Sequence, residues 1–260
     1  MTAAEFAARF RSGEKMIGYW VVMDSPVATE RIARVGYDYV CLDQQHGLMS
    51  YSGLRNGLMA VDAGARLSEA DTVGIVRVAT NDLTWIGHAL DAGAAGVIVP
   101  LVDSAADAAR AVANAKYPPT GIRSYGPMRS ELRLGPTPAD ANAQTLVIAM
   151  IETRSGLENV EAIAATPGID GLYVGPSDLS LALGAAFPGD PAIAEPFAAA
   201  LTRIQAAASA AGIPVGIHAA SGDIAAERMA VGFTFSTVAS DVVHLEEAAM
   251  AHLAAARRHP

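Results

Sequence analysis

One cysteine in 260 residues, Cys41, excludes an internal disulfide. It sits inside the apolar run YDYVCLD, where a buried thiol in a reducing compartment is expected, hence the cytoplasm. Lysine is nearly as scarce. Lys15 and Lys116 are the only two, and neither follows a strand-like run, which argues against imine catalysis. Basic residues are few and scattered, 18 against 27 acidic for a net charge of −9, so no nucleic-acid stripe is visible. The most apolar window, Ala92 to Val102, is too short to span a bilayer. Glu5 and its charged neighbours occupy the place where a signal peptide has an apolar core, so no membrane partner is expected. No GxGxxG follows the first strand-like run, which counts against dinucleotide binding.

What is present is a well-buried chain: 52% hydrophobic, 17% charged, mean hydropathy +0.28. Mostly apolar runs of strand length recur at 16–23, 37–43, 73–79, 95–101, 146–151, 170–175, 213–218 and 232–238, separated by stretches of helical spacing. Eight strand–helix units in about 250 residues predict an α/β fold, a (β/α)8 TIM barrel in one domain over 1–260, with a doubly wound open sheet as the alternative. One long segment, YPPTGIRSYGPMRSELRLGPTPAD from about 117 to 140, is broken by Pro and Gly and reads as a lid-like loop.

In such a barrel the C-terminal strand ends share one mouth, and the residues there carry the chemistry. They are Asp43 and His46 after the second strand, Arg77 ending the third, Glu152 after the fifth, Asp178 after the sixth and His218 ending the seventh. Strands five and six flank a single crossover and are therefore parallel, so Glu152 and Asp178 emerge on one rim, a pairing that points to a divalent cation. Asp178 before LSLALG also reads as a helix N-cap, a role Glu152 suits poorly. His46 also reads as a surface loop residue, and His218 as a structural hydrogen-bonder. Arg77, inside VGIVRVA, requires an anionic partner.

At these residues the chain resembles the HpcH/HpaI family of class II, metal-dependent pyruvate aldolases. LDQQHG, VRVATND, GVIVPLV, YPPTGIRSYG, MIETRSG and DGLYVGPSDLS occur in that family's order and spacing. The resemblance implies that Glu152 and Asp178 hold Mg2+ or Mn2+, with Co2+ also accepted, that Arg77 binds the pyruvyl group, and that His46 is the general base. Asp43 matches an acid of the same pocket. Asp91 matches an acid associated with the histidine, possibly across a subunit interface, and Gly175, Pro176 and Ser177 match substrate-binding positions. A homo-oligomer, a hexamer built as a trimer of dimers, is implied as well. Gln45 and Met150 depart from the family pattern, as does the insertion-like ARLSEADTVG before the third strand, and these departures bear on the aldehyde accepted.

The residue types suit one reaction. A 2-keto acid chelates a divalent ion through its carboxylate and keto oxygens, where charge builds up as C3–C4 breaks, and two protein carboxylates leave coordination positions open for it. Arginine adds positive charge at that oxygen, and a histidine takes the proton from the C4 hydroxyl. The expected function is reversible cleavage of 4-hydroxy-2-keto acids to pyruvate, or hydroxypyruvate, and an aldehyde. Alternatives are a 2-keto diacid (oxaloacetate) decarboxylase, a citrate-lyase-type lyase using Arg123, Arg129 and Arg133 for the CoA phosphates, and a metabolite-binding barrel.

Overall fold

The computed structural model describes residues 1–67 and 71–258. Part of ARLSEADTVG, residues 68–70, lies outside the described residues. The chain begins with α1 (Ala3–Arg11), β1 (Met16–Val21), α2 (Pro26–Ala33), β2 (Tyr39–Asp43), α3 (Tyr51–Leu67), β3 (Val73–Arg77), α4 (Leu83–Asp91), β4 (Gly96–Val99) and α5 (Ala105–Ala115). Two short helices, α6 (Ser130–Leu134) and α7 (Pro138–Gln144), precede β5 (Leu146–Ile151), α8 (Arg154–Glu158), α9 (Val160–Ala164) and β6 (Gly171–Val174). α10 (Pro176–Ala182), α11 (Ala194–Ala211), β7 (Val215–Ala219), α12 (Gly222–Ala230), β8 (Phe235–Val238) and α13 (Asp241–Arg257) complete it. The strands pair in sequence order, all parallel, and β8 closes on β1 with Gly18 opposite Thr237. The expected (β/α)8 barrel is therefore the observed fold.

Side-chain alternation divides the apolar residues between two cores. Residues on the outer strand faces, such as Val40, Leu42, Val76, Val97 and Ile151, pack under the helices. Those on the inner faces, such as Trp20, Cys41, Ile75, Ile148, Met150, Tyr173 and Phe235, fill the barrel. Continuing each inner row by two residues leads from Cys41 to Asp43, from Ile75 to Arg77, from Met150 to Glu152 and from Tyr173 to Gly175. The top layer of a filled barrel is thereby polar.

The lower end is plugged. α1 starts at a Thr2–Glu5 capping box. It lays Phe6 against Tyr39 and Phe10 against Phe235, with ring centroids 6.3 and 4.8 Å apart, and Tyr39 and Phe235 are the first residues of their strands. The segment expected to be a lid lies at this end too. Leu134 and Ala141 are buried in the same core as α1. Arg123 bonds Asp91, while Arg129 and Arg133 bond Asp62 near the end of α3. The lid-like segment 117–140 follows a helix and precedes a strand, so it runs along the N-terminal edge, away from the mouth. It is not irregular throughout: α6 lies within it and α7 begins near its end.

Lys116 belongs to this lower end. Its Nζ donates to the carbonyls of Asn142 and Thr145 at 2.7 and 2.6 Å, and burial pushes the ammonium down to about 8. Far from the mouth, it anchors the chain before β5.

Two outcomes test this arrangement. Phe10→Ala removes a buried ring from the plug and should cost about 3–5 kcal/mol in denaturant unfolding, while the kcat of the folded enzyme stays near its original value. Lys116 titrates lower folded than unfolded, so between about 8 and about 10.4 the unfolded chain binds more protons and this residue makes stability rise with pH. Urea midpoints from pH 8 to 9.5 should show that rise, and Lys116→Met should remove it.

Candidate active site

Asp43 and Arg77 are register partners on β2 and β3, and they meet at the top of the barrel interior. Arg77 donates from Nε to Asp43 Oδ1 at 2.8 Å and from Nη2 to Oδ2 at 2.5 Å. This two-point pair supplies the anionic partner that the arginine requires. Trp20 Nε1 donates to the same carboxylate at 3.3 Å, and the guanidinium lies 4.8 Å from the Trp20 ring centre. The amides of Gln45 and His46 donate to Oδ1 as well. Burial alone would raise the Asp43 carboxyl, but the Arg77 bonds and charge together with these amides hold it below the usual range. Among the described residues, Arg77 Nη1 has no hydrogen-bond partner. One guanidinium nitrogen is thus left for a ligand.

Glu152 follows β5 and is 2% exposed. Its Oε1 accepts the Leu101 amide at 2.9 Å, whereas Oε2 is buried without a partner. Leu101 holds φ at +53°, a left-handed conformation costly for a side chain with Cβ, and that turn aims its amide at the carboxylate. Burial, with Asp178 nearby, pushes Glu152 up to about 7 despite the Leu101 bond. An unpaired buried carboxylate oxygen of this kind calls for a cation or a proton. Gly175 keeps the space beside it open, for a Cβ there would lie 2.6 Å from Oε2 and 2.6 Å from Met150 Cε.

The alternative of Asp178 as a helix cap is overturned. Gly175 occupies the N-cap of α10, and Asp178 lies in the first turn, where it makes no cap bond. Asp178 is exposed to the mouth. The structure brings Asp43, His46, Arg77, Gly175, Pro176, Ser177, Asp178 and His218 around one cavity of about 290 Å³. Glu152 lies buried behind the wall, against Gly175.

His46 is exposed at the rim. His218 lines the cavity with its ring edge-on to Trp20, centroids 5.3 Å apart, and has no hydrogen-bond partner among the described residues, contrary to a structural hydrogen-bonding role. Burial and the charge of Arg77 push it down to about 4, so it is neutral at pH 7.

Asp91 is not brought to this mouth within the chain. It is the last residue of α4, so it lies at the lower end, where its Oδ1 accepts from Arg123 Nη2 at 2.5 Å. The arginines expected to hold CoA phosphates share that end and are paired with Asp91 and Asp62, so no basic groove at the mouth comes from them.

Three contributors escaped sequence reasoning. Trp20 continues the inner row of β1 from Met16 and Gly18, a signal that strand alternation carries. Leu101 acts through its backbone amide, and Asp103, which accepts from Thr153 Oγ1 beside Glu152, acts across a fold contact; neither leaves a side-chain pattern.

The model of the HpcH/HpaI aldolase/citrate lyase family matches residues 16–248. A hydroxypyruvate/pyruvate aldolase from Rhizorhabdus wittichii is 36% identical over 95% of this chain and 96% of its own length. A 5-keto-4-deoxy-D-glucarate aldolase from Salmonella paratyphi A is 36% identical over 92% of this chain and 91% of its own. The crystal structure of an HpcH/HpaI aldolase/citrate lyase family protein from Burkholderia cenocepacia superposes with a TM-score of 0.88 at 31% identity, covering 98% of this chain and 99% of that one. The chain belongs to the HpcH/HpaI aldolase/citrate lyase family and is a carbon–carbon lyase.

Proposed function

We propose that this enzyme reversibly cleaves 4-hydroxy-2-keto acids to pyruvate, or hydroxypyruvate, and an aldehyde, with a divalent ion held by Glu152 and Asp178. The observation that carries the reading is the unpartnered Glu152 Oε2, buried against Gly175 of the cavity wall and near enough to Asp178 for that carboxylate to raise it. Two carboxylates suit Mg2+ or Mn2+, and Co2+ to a lesser degree, better than a structural zinc. When bound, such an ion polarises the keto group of a 2-keto acid.

The chain's own groups divide the remaining work. Arg77, immobilised by Asp43, presents Nη1 to the oxygen on which negative charge develops as C3–C4 breaks. Because Nε and Nη2 are already fixed on Asp43, the guanidinium needs little reorganisation at that moment. Trp20 and Tyr173, stacked with centroids 6.0 Å apart, form the dry floor beneath. Ser177, Pro176 and Gly175 border the substrate at the start of α10. His46 takes the proton from the C4 hydroxyl in cleavage and returns it in condensation. In this reading the Asp43 carboxylate orients Arg77 and does not orient the His46 ring, since its bonds to His46 go to the backbone amide.

Other parts of the reading concern assembly and location. α13 buries only Asp241 and leaves Val242, Leu245, Met250 and Leu253 uncovered, which supports a homo-oligomer of the hexameric kind that the family resemblance implies. Any action of Asp91 on a neighbouring mouth would require that assembly. No described helix is long and apolar enough to cross a membrane; the cytoplasmic reading rests on the lone buried thiol of Cys41.

Calorimetry with Mn2+ tests the ion site: Glu152→Ala and Asp178→Ala should each lose measurable binding while melting near the parent temperature, and unchanged affinity in both would remove the ion from this rim. His46→Asn should still bind Mn2+ and pyruvate but cleave a 4-hydroxy-2-keto acid about 10²-fold more slowly or worse. Oxaloacetate decarboxylation, which deprotonates no hydroxyl, should lose much less on the same metal-saturated sample. Equal losses would deny His46 its role as aldol base.

A further inference from the structure

A second cavity opens beside the mouth. It measures about 480 Å³ and is bounded by α10, α11, α12 and the outer face of β7. Pro176, Ser177 and His218 line both spaces, so the two meet at a doorway made by the start of α10 and the end of β7. We propose that this cavity receives the non-reacting end of the aldehyde, and that this end is an apolar chain. The proposal rests on the reading of the mouth as a pyruvate–aldehyde site.

The two spaces differ in chemistry. The mouth holds Arg77, with Nη1 free among the described residues, and Asp178, one of the two carboxylates read as holding the ion, so the 2-keto acid carboxylate belongs there. The walls of the second cavity are Ile193, Phe197 and Leu201 on the α11 side, Ile217 on β7 and Ile224 on α12. Two charged residues touch it. The Asp190 carboxylate accepts the amides of Ala186 and Ala192 at 2.9 Å each and is thereby committed to its own turn. Arg228, half-buried on α12, is the other. A space of several hundred Å³ with predominantly apolar walls and few polar groups is what an alkyl group requires.

Chain length is the probe. Condensation of pyruvate with acetaldehyde, butanal and hexanal is followed on the metal-saturated full-length enzyme, with kcat/KM as the readout. A fully buried methylene is worth roughly four-fold. For a cavity open on one side, hexanal should exceed acetaldehyde by about 10-fold or more. Ala198→Trp and Ala194→Trp, each filling the cavity from α11 one turn apart, should cut the hexanal value about 10-fold and leave acetaldehyde within about two-fold, which also shows that the variants fold. A flat dependence on chain length, or a hexanal preference that both variants leave intact, would overturn the proposal while the aldolase reading stands. Absence of condensation with every aldehyde, acetaldehyde included, would overturn both together.

Discussion

The ion pair between Asp43 and Arg77 is the constraint around which the upper half of the barrel is arranged. Both side chains are almost wholly buried, and removing either partner of such a pair strands the other charge at a cost of about 3–5 kcal/mol. The pair can exist only because β2 and β3 set the two residues in direct register, one alternation above Cys41 and Ile75. Trp20 must then approach from β1 to satisfy the remaining lone pair, and Tyr173 stacks on Trp20 from the far side. A filled interior and a charged top layer are thus one packing solution, in which aromatic bulk excludes the water that would otherwise weaken the arginine.

The two ends of the barrel divide the tasks. The upper end keeps polar atoms short of partners: Glu152 Oε2, Arg77 Nη1 and the imidazole of His218. The end below is closed mostly by apolar contact and local pairing, although Tyr117 Oη and Arg123 Nε and Nη1 are buried there without hydrogen-bond partners among the described residues, the guanidinium lying 4.4 Å from the Tyr117 ring centre. Phe6 and Phe10 close the interior, Lys116 feeds two carbonyls, and the arginines of the 117–140 segment neutralise Asp62 and Asp91. Unsatisfied groups are tolerable where a ligand will come, and the tightly packed lower half compensates for them.

Much of this was legible in the sequence because the governing patterns are local. Apolar runs of strand length alternating with helical spacing specify the barrel, and the strand-end rule collects Asp43, Arg77, Glu152, Asp178 and His218 in one place. Residues offered on other grounds, Asp91 by the family resemblance and the loop arginines for CoA phosphates, fall outside that rule. Asp91 and the arginines of the long loop have the charges of site residues, but a helix end and a helix-to-strand connection belong to the opposite edge of a parallel barrel. Asp178 resembled a cap because acids often precede helices, and only the backbone angles of Gly175 show that the cap position was already taken. Leu101 carried no signal, since a backbone amide is common to every residue but proline.

Leu101 also bears on how this protein tolerates change. It and Ala239 are the two non-glycine residues in left-handed conformations among those described, and both lie just past a strand at the upper edge, after β4 and β8. Glycine at 101 would relieve the strain, of order 1 kcal/mol or more, and on a thermostability screen it would register as neutral or beneficial. It would also free the amide that steadies Glu152, because glycine visits many more backbone states. Selection for robustness and selection for a rigid carboxylate would therefore pull this position in opposite directions, and the strained leucine of this chain sits on the side of the carboxylate.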